Sequence, residues 1–255
     1  MKFSPGDSIG GRFRVIQKLG EGGMGIVYLV HDGERKQDIA LKVMRPEISL
    51  NELAVERFKR EVEAMGRIDD PSMVKIYERG RLNKNLFYTM EFVRGESIYR
   101  MVKAQGPMGV ARAVGLISHI CIALSKVHRV AVHRDISSDN VIVRADGSVR
   151  ILDFGTVRMK DDESNLTRAG MHVGKLCYSA PEQRRDSRSV DHRADLYSAG
   201  VLLYEMLTGK TLYAYEPVTK HRPELSADWD RFFAKALAPE PQGRFRSAED
   251  MLAAI

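Results

Sequence analysis

The sequence feature that most constrains this chain is a polar run at residues 133–140, His-Arg-Asp-Ile-Ser-Ser-Asp-Asn, which Asp-Phe-Gly follows at residues 153–155. Two β-prone stretches lie between these motifs, Val-Ile-Val at 141–143 and Val-Arg-Ile-Leu at 149–152, and an Asp-Gly pair separates the stretches. This pattern predicts a β-hairpin closed by an Asp-Gly turn. Such a hairpin would hold both polar motifs on one rigid rim.

The two polar motifs carry side chains suited to phosphate chemistry. Asp135 is a candidate base, and Asn140 and Asp153 provide the hard oxygen atoms that Mg²⁺ prefers. Either motif alone would be common by chance in loops rich in Asp and Asn. Both motifs in this order across a hairpin indicate a catalytic site.

The composition is that of a globular chain. With 255 residues and 44% hydrophobic content, the chain can bury a sizeable core in one large domain or in two closely packed lobes. A net charge of +6, spread among 34 acidic residues, is compatible with phosphate-bearing ligands and does not predict a nucleic-acid partner.

The sequence gives no sign of secretion or of a membrane span. Its start, Met-Lys-Phe-Ser-Pro-Gly, lacks the apolar run of a signal peptide, and Cys121 and Cys177 are too few for a disulfide framework. No stretch approaches about eighteen consecutive apolar residues. We therefore expect reduced thiols, a cytoplasmic location and no membrane segment in this chain.

A glycine-rich run, Gly-Glu-Gly-Gly-Met-Gly at residues 20–25, joins β-prone stretches at 12–19 and 26–30. Residues without a Cβ atom let backbone N–H groups approach phosphate oxygens, so the tip of this predicted hairpin is suited to cover phosphates. A dinucleotide-binding fold would require a helix after the last glycine, whereas a strand is predicted here. The motif therefore does not indicate a dinucleotide site.

Taken together, these motifs resemble the catalytic domain of protein kinases. The glycine run with Val27 behind it is similar to the kinase Gly-rich loop, and the run with Tyr-Ser-Ala-Pro-Glu-Gln at 178–183 is most similar to bacterial eukaryotic-like Ser/Thr kinases. The resemblance implies an α+β fold of two lobes. The small, β-rich N-terminal lobe with one main helix would span residues 1–92, and the larger, mostly helical C-terminal lobe would span 93–255.

The resemblance also implies ATP as a ligand, together with Mg²⁺ or alternatively Mn²⁺. Lys42 would hold the α- and β-phosphates, and Glu61 in the predicted helix 51–68 would pair with it, although Glu56 or Glu63 could take that place. Met90 is similar to the gatekeeper that precedes the hinge, whose backbone would bind adenine. The implied nucleotide-binding set is Gly20, Glu21, Gly22, Gly23, Gly25, Val27, Ala40, Lys42, Glu61, Met90, Glu91, Val93 and Ile142.

In the implied reaction, Asp135 accepts the proton of a substrate hydroxyl while Asn140 and Asp153 hold the metal. The polar run from Thr156 to Gly174 resembles an activation loop. Arg134 would dock a phosphate on that loop through charge-assisted hydrogen bonds.

Among the hydroxyls of this loop we prefer Thr167 as the phosphorylated residue over Thr156 and Ser164. Its setting, Leu-Thr-Arg-Ala-Gly, is similar to that of bacterial relatives.

Three further residues receive structural roles from the resemblance. Asp195 would fix the backbone of the catalytic loop, and Arg244 would pair with Glu182 in the Ala-Pro-Glu motif.

The chain departs from the family pattern at two catalytic positions. Ser/Thr kinases carry a lysine two residues after the catalytic aspartate, where this chain has Ser137, and a Gly-Thr pair near the end of the loop, where it has Gly174-Lys175. We hypothesise that Lys175 supplies the missing ammonium group from across the site. The alternative is a solvated Lys175 in a slow enzyme, or in one that recognises its substrate differently.

A third departure is the short stretch between Leu212 and Leu225, where relatives usually have a further helix. Pro217 and Pro223 make a full helix there unfavourable. This puts protein docking on that side in doubt.

The sequence therefore predicts an ATP-dependent kinase of protein Ser/Thr hydroxyls that phosphorylates its own activation loop, with a transient homodimer for transfer between copies. Two alternatives remain open. One is a weak or inactive nucleotide-binding scaffold, which Ser137 and Lys175 favour. The other is a kinase of small-molecule hydroxyls, which the long activation loop and the Ala-Pro-Glu motif disfavour.

Overall fold

The computed structural model describes residues 2–22, 25–50, 52–68, 70–82, 85–152, 176–185 and 190–255. These residues form two compact units. Within the described ranges, the first unit comprises residues 2–67 and 74–93, and the second comprises residues 68–73, 94–152 and the described residues from 176 onward.

The first unit is built on a six-stranded antiparallel sheet with the strand order β1-β2-β3-β4-β6-β5. Its strands are β1 (Ser8–Ile9), β2 (Phe13–Glu21), β3 (Gly25–Asp32), β4 (Gln37–Met44), β5 (Ile76–Leu82) and β6 (Asn85–Glu91). Two helices lie between β4 and β5, namely α1 (Pro46–Leu50) and α2 (Glu52–Gly66).

Alternation of side chains along the strands gives this sheet two different faces. One face carries the hydrophobic core of the unit, whose buried members are Ile9, Phe13, Val15, Ile26, Tyr28, Val30, Ile39, Leu41, Val43 and Phe87. The other face carries the alternate residues, among them Val27, Ala40 and Lys42. A one-residue slip of register would exchange the two faces, so the core fixes the side on which Lys42 lies.

A buried ion pair joins both ends of the β2–β3 hairpin. Arg12 donates from Nε and Nη2 to the two carboxylate oxygens of Asp32, at 2.8 and 2.6 Å, and its Nη2 also lies 2.8 Å from Glu78 Oε1 on β5. Asp32 is fully buried and accepts a further hydrogen bond from the N–H of Glu34. The Arg12 guanidinium lowers the pKa of the Asp32 carboxyl to about 2.

The second unit combines a small sheet with six described helices. The sheet consists of β7 (Glu96–Ser97), β8 (Val141–Val143) and β9 (Val149–Ile151), and β8 and β9 form the predicted hairpin. The helices are α3 (Ile98–Gln105), α4 (Val110–Val127), α5 (Pro181–Arg185), α6 (Arg193–Thr208), α7 (Ala227–Ala236) and α8 (Ala248–Ala253).

Helix α6 is the centre of this unit, because every side chain from Ala194 to Thr208 is buried. A helix that is buried on all sides needs no polar face, and α6 accordingly contacts α3, α4 and α7.

Among the described residues, α4 alone has the length and mean hydropathy (1.6) of a membrane span. Its apolar side chains Leu116, Ile117, Ile120 and Leu124 are buried, and the helix packs on α6 and α8. Of this stretch, 44% is buried inside the helical unit.

The prediction for the stretch between Leu212 and Leu225 is confirmed, since it contains only a 3-10 turn at Val218–Lys220. Thr219 fastens this turn by donating from Oγ1 to Asp230 Oδ2 on α7, at 2.6 Å.

We expect the ion pair of Asp32 to make the chain sensitive to acid. Because the pKa of Asp32 is lower in the folded chain than its ordinary value of 3.8, its stabilisation is complete above about pH 4 and is lost as the pH falls through about 2. The difference in free energy of unfolding between wild type and Asp32→Asn should shrink by about 2 kcal/mol between pH 6 and pH 2 in urea titrations. The exposed Asp38→Asn on β4 is the control and should differ from wild type by less than about 0.5 kcal/mol at each pH. A pH-independent Asp32→Asn difference would contradict the prediction.

Candidate active site

In the first unit, the sheet gathers four predicted nucleotide-binding residues on the face opposite the core. The β3–β4 register sets Val27 opposite Lys42, and the β4–β6 register sets Ala40 opposite Met90 and Lys42 opposite Tyr88. Lys42 is buried, and its Nζ lies 5.6 Å from the centre of the Tyr88 ring. An ammonium group and a small apolar surface therefore share one side of the sheet.

The glycine-rich run joins β2 to β3 in the chain, and its described members are Gly20, Gly22 and Gly25 with Glu21. Gly25 is required by the protein's own packing, because a Cβ atom there would lie 2.2 Å from the carbonyl oxygen of Val43. By contrast, a Cβ atom on Gly20 or Gly22 would meet no atom of the described residues within 4 Å. The space beside these two glycines lets a ligand approach the backbone closely, which suits phosphate.

The side chain of Glu21 is engaged within the protein. Its carboxylate lies 2.7 Å from Lys18 Nζ and 3.5 Å from Arg45 Nη2. The Glu21 carboxylate is therefore paired with cations of the protein itself.

Helix α2 packs on the same face as Lys42, since the Phe58 ring lies 5.9 Å from the Tyr88 ring. Glu61 lies in helix α2, but its side chain is outside what the structure describes. At the end of β6, the Glu91 N–H donates to the carbonyl of Lys75 at 2.8 Å, so an adenine contact by Glu91 would have to use its carbonyl oxygen.

In the second unit, Asp195 at the start of α6 fastens the loop that contains Asp135. Its carboxylate accepts hydrogen bonds from the backbone N–H groups of His133 and Arg134, both at 2.7 Å, and lies 3.0 Å from His128 Nε2. Arg134 has a φ of 66°, which is rare for a residue with a side chain. The two hydrogen bonds to Asp195 hold the backbone in this conformation.

Asp135 and Asn140 are brought together as the sequence predicted for a shared site. Asn140 Nδ2 donates to the Asp135 carboxylate at 2.7 Å and to the Asp135 carbonyl at 2.9 Å. Because the amide nitrogen faces Asp135, the amide oxygen is the atom of Asn140 that could bind a metal ion. The N–H of Leu152 donates to the Asn140 carbonyl at 2.7 Å and brings the end of β9 to this point.

Ser137 lies in the same loop and is 1% exposed. Its Oγ atom has no hydrogen-bond partner in the part of the chain that the structure describes. Ile142, another predicted nucleotide contact, lies on β8 opposite Arg150.

Arg244 and Glu182 form a bidentate ion pair. Arg244 Nη1 and Nη2 donate to the two carboxylate oxygens at 2.6 and 2.7 Å, and further hydrogen bonds from the guanidinium reach the carbonyls of Arg193, Ala238 and Pro239.

Several predicted site residues lie outside the described residues, namely Gly23, Asp153, Thr167 and Lys175. Within the described ranges there is no cluster of three or more His, Cys, Asp and Glu side chains that could hold a metal ion. Of the two predicted metal ligands, Asn140 and Asp153, the structure therefore describes only Asn140.

Two contacts near Asp135 were not predicted. Gln183 Nε2 donates to the Arg134 carbonyl at 3.2 Å, and the Ser138 hydroxyl lies 2.8 Å from Tyr178 Oη. Both join residues 40 or more positions apart, so no local sequence pattern could have indicated them.

The comparisons with known proteins agree with this geometry. Residues 13–251 match the family model of the protein kinase domain. The probable serine/threonine-protein kinase PknB of Bifidobacterium longum is 32% identical over 94% of this chain and 39% of its own length. The serine/threonine-protein kinase pkn3 of Myxococcus xanthus is 33% identical over 96% of this chain and 49% of its own length.

A solved structure gives the same result. The crystal structure of the Mycobacterium tuberculosis PknI kinase domain aligns with a TM-score of 0.79 at 25% identity, covering 100% of this chain and 98% of that one. The chain therefore belongs to the protein kinase domain family, and the predicted α+β fold with a β-rich and a helical lobe is confirmed. It spans less than half the length of the two curated relatives.

Members of this family bind ATP together with Mg²⁺. The residues present fit these groups, because the space beside Gly20 and Gly22 admits phosphate and the Asn140 amide oxygen is a hard metal ligand.

We expect Arg244→Lys to destabilise the helical unit, because an ammonium group cannot reproduce the planar fork that holds both oxygens of Glu182. The loss of free energy of unfolding should be on the order of 3 kcal/mol. The exposed neighbour Arg246→Lys provides the control and should change it by less than about 0.5 kcal/mol. Equal stabilities of the two variants in urea denaturation would show that the fork is unimportant.

Proposed function

We propose that this chain is an ATP-dependent protein kinase that transfers the γ-phosphoryl group to Ser/Thr hydroxyls of proteins. The observation that carries the proposal is the contact of Asn140 with Asp135 in a loop fastened by Asp195, within a chain of the protein kinase family. A candidate base and a candidate metal ligand are thereby held within 2.7 Å of each other.

Each residue has one role in this proposal. Asp135 orients the substrate hydroxyl and accepts its proton, while the hydroxyl oxygen forms a bond to the γ-phosphorus and ADP leaves. Asn140 and Asp153 hold the divalent ion, which neutralises charge on the phosphates when bound. Lys42 and the glycine-rich turn position the phosphates, and Glu61 orients Lys42.

Val27, Ala40 and Met90 line the apolar face that receives adenine in this proposal. The support is that the sheet register sets all three beside Lys42 on one face.

The proposal extends to regulation. Thr167 would be phosphorylated by a second copy of the chain in a transient homodimer, and Arg134 would bind that phosphate. The support is that the backbone of Arg134 is held next to Asp135, so a phosphate at Arg134 would act close to the base.

We expect Asp135→Asn to lower phosphoryl transfer by at least about 10²-fold, because the amide cannot accept the proton of the attacking hydroxyl. The measurement is transfer of radiolabelled phosphate from ATP to the chain and to a general protein substrate. Asp139→Asn, an aspartate of the same loop, is the matched control and should remain within about twofold of wild type.

The alternatives give different results in the same assay. If the chain is a nucleotide-binding scaffold, the wild type would bind ATP but would transfer no phosphate from ATP to any acceptor. If the chain is a kinase of small-molecule hydroxyls, it would hydrolyse ATP or transfer its phosphate to a small molecule, and no protein would be labelled, its own chain included. Either result would overturn the proposed function.

We propose further that Lys175 replaces the charge lost at Ser137. The support is that the Ser137 hydroxyl is neutral and has no hydrogen-bond partner among the described residues. Lys175→Ala should then lower turnover by about 10²–10³-fold, equivalent to about 3–4 kcal/mol of barrier. The exposed Lys103→Ala on α3 serves as the control. Unchanged turnover of an active Lys175→Ala variant would mean that Lys175 is solvated.

A further inference from the structure

Ser138 is held by both its backbone and its side chain. It follows Asp135 by three positions, and its carbonyl accepts a hydrogen bond from the N–H of Tyr99, at the start of α3, at 3.0 Å. Its hydroxyl lies 2.8 Å from Tyr178 Oη. One residue of the catalytic loop therefore contacts two separate segments of the helical unit.

Tyr178 extends this contact into the core. Its phenol donates a hydrogen bond to Glu205 Oε2 on the central helix α6, and all three side chains are buried. A phenol has one proton, and since that proton goes to Glu205, the Ser138 hydroxyl is the donor in its own hydrogen bond with Tyr178. Burial raises the pKa of the Tyr178 phenol and of the Glu205 carboxyl.

The segment that contains Tyr178 reaches the catalytic loop at a second point. Gln183 accepts a hydrogen bond from the Ala180 N–H at 2.9 Å and donates to the Arg134 carbonyl at 3.2 Å. Arg134 precedes Asp135 directly, whereas Ser138 follows it. Residues 178–183 therefore hold the loop on both sides of the proposed base.

Asp195 cannot substitute for the contact at Ser138. Its hydrogen bonds reach the N–H groups of His133 and Arg134, which lie before Asp135. The later half of the loop is held by Ser138, by the Asn140 side chain and by the N–H of Leu152, which donates to the Asn140 carbonyl. A displacement of about 1 Å at a reacting group costs on the order of 10²-fold in rate, so a small loosening there is sufficient to slow transfer.

We propose that Ser138 is a positioning residue for phosphoryl transfer: its hydroxyl, through Tyr178 and Glu205, holds the loop carrying Asp135 against the central helix. This inference rests on the proposed function, because Asp135 is the base only if the chain is a kinase. No sequence motif indicates it, since Ser138 and Tyr178 are 40 positions apart.

The test compares four forms of the chain, namely wild type, Ser138→Ala, Tyr178→Phe and the double variant. Ser138→Ala should lower kcat by about 3- to 10-fold, the equivalent of one buried hydrogen bond, and leave the KM for ATP unchanged. The double variant should be no slower than Tyr178→Phe, because both changes remove the same connection.

Ser198→Ala is the matched control. Ser198 is 2% exposed, as against 1% for Ser138, and it donates to the carbonyls of Tyr178 and Ala194. Both alanine variants lose a buried serine hydrogen bond near Tyr178, so their melting temperatures should fall by similar amounts. A purely structural role of Ser138 predicts equal kcat values for the two variants, whereas the positioning role predicts a lower kcat for Ser138→Ala alone.

Hydrogen–deuterium exchange supplies a readout that does not need activity. Exchange across residues 133–140 should rise in Ser138→Ala and Tyr178→Phe and stay at the wild-type level in Ser198→Ala. If wild type is active and Ser138→Ala keeps its kcat within about twofold, the inference fails and the proposed function stands. If wild type transfers no phosphate, the proposed function fails, and with it the effect of Ser138 on phosphoryl transfer. The exchange comparison then still decides whether the hydroxyl holds the loop.

Discussion

The buried carboxylate of Asp195 is the interaction on which the candidate site depends. It lies at the start of a helix that is buried on all sides, and it accepts hydrogen bonds from the two backbone N–H groups of His133 and Arg134. Buried N–H groups without partners are costly, and the positive φ of Arg134 is unfavourable by itself. One carboxylate therefore compensates three unfavourable features, namely a buried donor, a partly buried donor and a strained residue, and sets Asp135 in place.

The helical unit adds further hydrogen bonds to this anchor. Gln183 and Tyr178 reach the loop before and after Asp135, and the ion pair of Arg244 with Glu182 fixes the short helix that carries Gln183. These interactions are buried or partly buried, so removing one partner would leave the other partner without its hydrogen bond in a poorly solvated place. The core therefore adds to the local hydrogen bonds of Asn140 with Asp135 in fixing the shape of the loop.

The β-sheet unit positions its residues by a different physical means. Lys42, Ala40 and Met90 share a face because strand registers are fixed by the hydrophobic residues on the opposite face. The Asp-Gly pair made the β8–β9 hairpin predictable from the sequence, whereas the family resemblance alone implied that Lys42, Ala40 and Met90 belong to one site. By contrast, the contact of Arg12 with Asp32 and Glu78 joins three strands through side chains that look like ordinary surface charges in the sequence.

The amino-acid sequence by itself determined the β8–β9 hairpin, the two strands beside the glycine-rich run and the membership of the protein kinase domain family, because these are encoded in spacings of a few residues. Only the tertiary structure decided that Gln183 reaches the carbonyl of Arg134, 49 positions earlier, and that Ser138 reaches Glu205 through Tyr178. The physical reason is that a buried polar group finds its partner wherever the packed core brings a donor and an acceptor together. That pairing depends on how the helices pack and leaves no periodic signal in the chain.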